Sequence, residues 1–158
     1  MHTVPLIVRP ADPREPAVRT LIAELDEYHT RLYPAASNHL DPPETLASPN
    51  VHFVTATLDA RLAGCGALKC FDGWGEIKRM YVRPHARGHG VARAILVALE
   101  KAARDRGIEV LRLETGVRND DALAFYRKAG FQEVPAFAPY AADPFSVFME
   151  KRTESARR

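Results

Sequence analysis

MYVRPHARGHGVA, residues 80–92, decides the fold. An apolar run ends at Val82, and Pro84 cannot continue it as a central strand. Arg87, Gly88 and Gly90 then form a turn ahead of a segment in which Val91, Ile95, Leu99 and Ala102, with Ala92 and Leu96, recur at helical spacing. A strand, a glycine turn and a helix in that order build an anion site. The helix opens with unpaired N–H groups at its positive dipole end. Gly88 and Gly90 let a phosphate approach the backbone, and Arg87 adds a guanidinium clamp. Read alone, a G-x-G turn is equally compatible with plain turn chemistry.

Upstream of this stretch, Thr3–Arg9 reads as a short strand. Asp12, Pro13 and Pro16 open a helix whose apolar face is Val18, Leu21, Ile22 and Leu25. Tyr33–Pro49 is rich in Pro, Ser, Asn and Asp and reads as a loop with a short helix near Glu44–Ala47. A loop of that length in a compact domain points to a functional role. Val51–Leu58, Leu62–Phe71 and Gly75–Val82 are β-rich runs with short connections, which predicts an antiparallel meander.

Downstream, the helix over Gly88–Arg106 stops at Gly107, and Val110–Thr115 is a strand with Leu111 and Leu113 on one face and Arg112 and Glu114 on the other. Asn119 or Asp120 caps a further helix that ends at Gly130. Phe131–Val134 and Ser146–Lys151 close the chain as strands around a proline-rich loop. The order predicts one α/β domain over residues 1–158, with a mixed sheet of about six or seven strands flanked by about four helices.

Composition narrows the function. The 158 residues are 46% apolar and 27% charged with a net charge of +2, ordinary values for a globular domain. The positive charge is not gathered into a stripe, so nucleic acid is a poor partner. No apolar run reaches the roughly 20 residues of a membrane span, and the N-terminus lacks a secretory pattern, so no membrane partner and a cytoplasmic location are expected. Cys65 and Cys70, five positions apart on one strand, point to opposite faces and read as buried free thiols. No metal-ligating cluster stands out. The oligomeric state is left open, a homodimer included.

Arg87-Gly88-His89-Gly90-Val91-Ala92 matches the R/Q-x-x-G-x-G/A signature of the GNAT superfamily of acetyltransferases, directly after a strand ending Met80-Tyr81-Val82. Asn119, Ala122, Phe125, Tyr126, Gly130 and Phe131 match a second pattern of that family, N-x-x-A-x-x-F-Y-x-x-x-G-F. On these two motifs the chain resembles the superfamily strongly from Glu76 to Phe131. Dinucleotide folds want a third glycine and a later acidic residue, and a phosphate loop of the Gly-Lys-Ser/Thr kind is absent.

The resemblance implies an acetyl-coenzyme A-dependent N-acetyltransferase with a cofactor half at about residues 75–131 and acceptor elements at about 13–50 and 134–146. By the same resemblance Met80, Tyr81 and Val82 line a slot for the pantetheine arm. A backbone N–H of Tyr81 or Val82 serves the acetyl oxygen, Asn119 contacts the cofactor, and Tyr126 returns a proton to the leaving thiolate. Glu76 is the expected base, Glu114 the alternative. A base is needed because an amine of pKa near 10.4 is neutral in only about one molecule in a few thousand at pH 7.

For the acceptor, Tyr28, Arg31, Asn38, His39, Arg79 and Tyr140 are the candidate contacts, and Arg31 and Arg79 suit a carboxylate. A small-molecule amine carrying an acidic group, such as an amino acid or a related metabolite, is therefore the expected acceptor. A protein amine, a non-catalytic acyl-coenzyme A sensor and a nucleotide-binding module are the competing classes.

Overall fold

The computed structural model describes residues 4–153. Seven strands, β1 (Leu6–Pro10), β2 (Val51–Leu58), β3 (Arg61–Cys70), β4 (Trp74–Val82), β5 (Val110–Gly116), β6 (Gln132–Val134) and β7 (Ser146–Arg152), join in one sheet. Their order is β1-β2-β3-β4-β5-β7-β6, and only the β4–β5 pair is parallel. The helices are α1 (Pro16–Leu32), α2 (Pro43–Leu46), α3 (Val91–Asp105) and α4 (Asp120–Lys128). This is the expected mixed α/β sheet. Thr3, where the first strand was expected to begin, lies outside the described residues.

Each face of the sheet is covered by a periodic apolar stripe. Val18, Leu21 and Ile22 of α1, with Leu46 of α2, pack on Phe53, Cys65 and Ala67. On the other face Val91, Ile95, Leu96 and Leu99 of α3 pack on Val54, Leu68, Ile77, Leu111, Leu113 and Met149. Ile95 and Leu99 are fully buried, so truncating either to alanine removes about 2–5 kcal/mol of stability. Cys65 joins the α1-side core while Cys70 packs against the α3-side core, which places the thiols on opposite faces. Cys70, expected to be buried, is only half-buried.

Local chemistry moves several boundaries. The third helix starts at Val91 and not at Gly88, because Gly88 and Gly90 take φ of +81° and +77°, outside the right-handed helical region. Pro10 ends β1, tolerable at a sheet edge where its missing N–H is not needed. Asn119 caps α4, its Oδ1 accepting from the N–H of Ala122 at 3.3 Å.

A bulge interrupts the middle of the sheet. Cys65 faces Tyr81 and Ala67 faces Lys78, so Arg79 and Met80 together oppose Gly66. Arg79 takes φ of +56°. Just ahead of the bulge β4 leaves β5: pairing covers only Trp74–Ile77 against Val110–Leu113, while β5 stays with β7 as far as Gly116 opposite Ser146. A wedge opens between residues 78–82 and 114–116.

Gly66 is the residue that lets the bulge pack. A Cβ there would lie 2.6 Å from Ile95 Cγ2 and 2.7 Å from Met80 Sδ. Gly66→Ala is expected to cost about 1–3 kcal/mol in urea unfolding through overpacking.

Candidate active site

The wedge joins two spaces. On the side of α3 and α4 lies a groove of about 790 Å³, and on the α1 side a cavity of about 90 Å³. His29, Met80, Asn119, Ala122 and Tyr126 line both, so they mark the passage between them.

Met80, Tyr81, Val82, Arg87, Gly88, Gly90, Val91 and Ala92 line the groove. A Cβ on Gly88 or Gly90 would meet nothing within 4 Å, so the glycines are required there by backbone conformation and leave the space above them open. Gly90 starts α3 without a side-chain cap, and the N–H groups of its first turn face that space. The Arg87 Nε–H donates to the Val82 carbonyl at 3.2 Å, which tethers the guanidinium at the rim. These features fit a pyrophosphate. His89 is exposed and does not line the groove.

Tyr126 is buried between Phe125 and Phe131, with ring centroids 5.2 and 5.6 Å away. Burial pushes its hydroxyl pKa well above the usual phenol value. Phe125, the residue before it, is half-buried and faces the groove. Helix geometry explains the difference: adjacent residues cannot share a face, and Tyr126 has the inward one.

Glu76, 2% exposed, sits in the small cavity. The Tyr140 hydroxyl donates to its Oε2 at 2.6 Å, and Lys78 Nζ stands 3.7 Å from the same oxygen. Lys78 also donates to the Tyr140 oxygen at 2.9 Å and pairs with Asp41 at 3.0 Å. Burial nonetheless dominates and raises the Glu76 pKa against the pull of Lys78 and Tyr140. Glu114 lines the same cavity, and burial raises its pKa too. The His29 pKa is lowered, first by burial and then by the charge of Arg79, both of which disfavour the imidazolium.

Among the expected acceptor contacts, Asn38, His39, Arg79 and Tyr140 line this cavity. The His39 and Tyr140 rings meet edge-on at 4.8 Å and bring the loop after α1 against the β6–β7 loop. Tyr28 lines the groove instead of the cavity, and Arg31 is exposed and lines neither. Arg31 lies near the end of a helix whose buried stripe points elsewhere, so its charge stays in water.

Three contributors carry no clear signal in the sequence: Asp26, Asp41 and Gly116. Asp26 pairs with Arg79. Gly116 makes room for Tyr33, since a Cβ there would lie 1.9 Å from the Tyr33 hydroxyl oxygen. That hydroxyl accepts the Arg118 backbone N–H at 3.1 Å and ties the end of α1 to the turn after β5.

Known proteins resemble this chain over most of its length. The model of the acetyltransferase (GNAT) family matches residues 20–131. An IAA acetyltransferase of Azospirillum brasilense is 47% identical over 88% of this chain and 92% of its own. The uncharacterized N-acetyltransferase YsnE of Bacillus subtilis is 39% identical over 85% of this chain and 91% of its own. Among solved structures, the PaiA N-acetyltransferase of Thermoplasma acidophilum, in complex with coenzyme A, superposes with a TM-score of 0.73 at 20% identity. It covers 94% of this chain and 99% of that one, a likeness of fold.

The open glycine turn with its tethered arginine predicts that Arg87→Ala raises the coenzyme A Kd about three- to tenfold by calorimetry. The melting temperature should stay put, because Arg87 is exposed.

Proposed function

Since this chain belongs to the GNAT acetyltransferase family, we propose that it moves the acetyl group of acetyl-coenzyme A to the primary amine of a small metabolite held in the cavity. The observation that carries this reading is the meeting of a glycine-lined groove with an acid-lined cavity at Tyr126 and Asn119. What the bound coenzyme supplies is an acetyl thioester.

Glu76 takes the proton of the incoming ammonium, directly or through a water. Its raised pKa moves it toward neutrality and makes it a stronger base than an exposed carboxylate. Glu114 is the alternative, facing the same space. On β4, the backbone groups of Met80, Tyr81 and Val82 that point toward β5 have no strand partner there, because the two strands part after Ile77. They suit the pantetheine amides, as an added strand would, and an N–H of Tyr81 or Val82 suits the acetyl oxygen as charge develops on it. Asn119 spends its Oδ1 on the helix cap and keeps its amide N–H groups for the ligand.

Tyr126 returns the proton to the leaving sulfur. Its pKa exceeds a thiol's by about 1.5 units in water, an uphill transfer of about 2 kcal/mol. Burial raises the phenol, but the same dry groove raises the thiol, so the gap does not widen in proportion.

Thiol release over a panel of small amines tests the reading, and Tyr126→Phe should lower kcat about 10- to 100-fold with coenzyme A affinity within about twofold. Unchanged turnover in that variant would remove Tyr126 from the chemistry. The base is tested by pH. An ionised carboxylate is required, so kcat/KM is present above the Glu76 pKa and falls as pH drops through it, at a pH above the ordinary carboxylate range. Glu76→Gln should erase that limb and cost about 10²–10⁴ in rate. If the limb persists in the variant, the base is Glu114.

A further inference from the structure

Arg79 is a buried cation with too few partners. Its side chain is 3% exposed and lines the cavity. Nη2 donates to Asp26, a residue whose own side chain is 42% exposed and faces solvent. Nε and Nη1 find no hydrogen-bond partner among the described residues. Those two nitrogens carry three of the five guanidinium N–H groups. Leaving donors of a buried charge unmet is costly, and a native fold retains such a group where a ligand meets it.

Beyond Asp26, no neighbouring side chain among the described residues accepts from Nε or Nη1. His29, beside Arg79 in the cavity lining, is an imidazole and offers no anion. Lys78 is already matched by Asp41, Tyr140 and Glu76, which leaves Arg79, paired with Asp26 through Nη2 alone, as the cavity's cation with open donors. Glu76 stands three residues earlier on the same strand, and Glu114 lines the opposite side of the wedge. The cavity is therefore polarised, with carboxylates for an amine and a guanidinium for an acid.

Resting on the acetyl-transfer reading above, we propose that the acceptor is a small amino carboxylate whose carboxylate is met by the guanidinium of Arg79 while its amine faces Glu76. Arg79 is then the specificity-determining residue of the site. The cavity of about 90 Å³, roughly three times the share of one water in the liquid, limits the acceptor to a few heavy atoms unless the Tyr140 loop withdraws.

The experiment is a thiol-release assay on a panel of small amino acids, each set beside its carboxamide and its decarboxylated amine. The wild-type enzyme should favour the carboxylate member of at least one set by on the order of a hundredfold or more in kcat/KM, since a site built to bind a polar group rejects the analogue lacking it. Arg79→Met should abolish that preference, lowering kcat/KM for the carboxylate about a hundredfold more than for its carboxamide. A purely structural role for Arg79 would lower all members of a set together.

Should Arg79→Met fail to fold, the wild-type comparison alone still decides. Equal or better turnover of amines without a carboxylate overturns this inference and leaves acetyl transfer intact. Thiol release with no amine at all, despite coenzyme A binding, overturns both.

Discussion

The parting of β4 from β5 is the constraint from which the candidate site follows. A parallel pair that stayed hydrogen-bonded to its end would seal the sheet, and the groove on the α3 side would have no passage to the cavity on the α1 side. Pairing stops after Ile77 and Leu113, and one residue further along β4, past Lys78, Arg79 and Met80 form a bulge against Gly66. Arg79 sits at φ +56°, a conformation that costs an L-residue about 1–2 kcal/mol. Contacts made only in the folded chain hold it there. Asp26 pairs with its side chain, and the thiol of Cys65 donates to its carbonyl at 3.2 Å. Cys65 thus has a structural task, and burial raises its pKa to about 12, which keeps it an unreactive thiol.

Around the wedge the protein spends stability on chemistry. Glu76 and Glu114 are removed from water, and their folded-state pKa values rise above those of the unfolded chain. The sign follows from linkage. Below the unfolded value both states hold the proton and burial of the acid is tolerated. As pH climbs through the raised pKa the folded state must ionise a buried carboxylate, so stability is lost toward neutral pH. Lys78 limits that loss at Glu76, standing 3.7 Å away while also serving Asp41 and Tyr140. Desolvation still outweighs it, and a basic carboxylate is the result.

The apolar layers hold this strained centre in place. The α1 and α3 stripes grip the sheet from both faces, and the fully buried Leu21, Ile22, Ile95 and Leu99 anchor them. The loop after α1 and the β6–β7 loop then close the cavity with His39 against Tyr140. Tyr33 fastens the end of α1 to the turn after β5 through the backbone of Arg118, space that exists because position 116 is glycine. The acceptor side is in this way assembled from segments about a hundred residues apart, Ser37 bonding Asp143 at 2.8 Å among them.

By itself the sequence determined what depends on local periodicity and on backbone conformation. The β2–β4 meander, the amphipathic α3, the glycine turn before it and the Asn119 cap were legible because each is encoded within a few neighbouring residues. Tyr126 was legible through its motif, although its burial relative to Phe125 was not. Tertiary structure alone decided the bulge at Arg79, its ion pair with Asp26, the Asp41–Lys78–Tyr140–Glu76 network and the placement of Arg31 outside the site. The physical reason is range: propensity and patterning act along the chain, whereas burial, desolvation and the pairing of charges depend on which distant segments fold together.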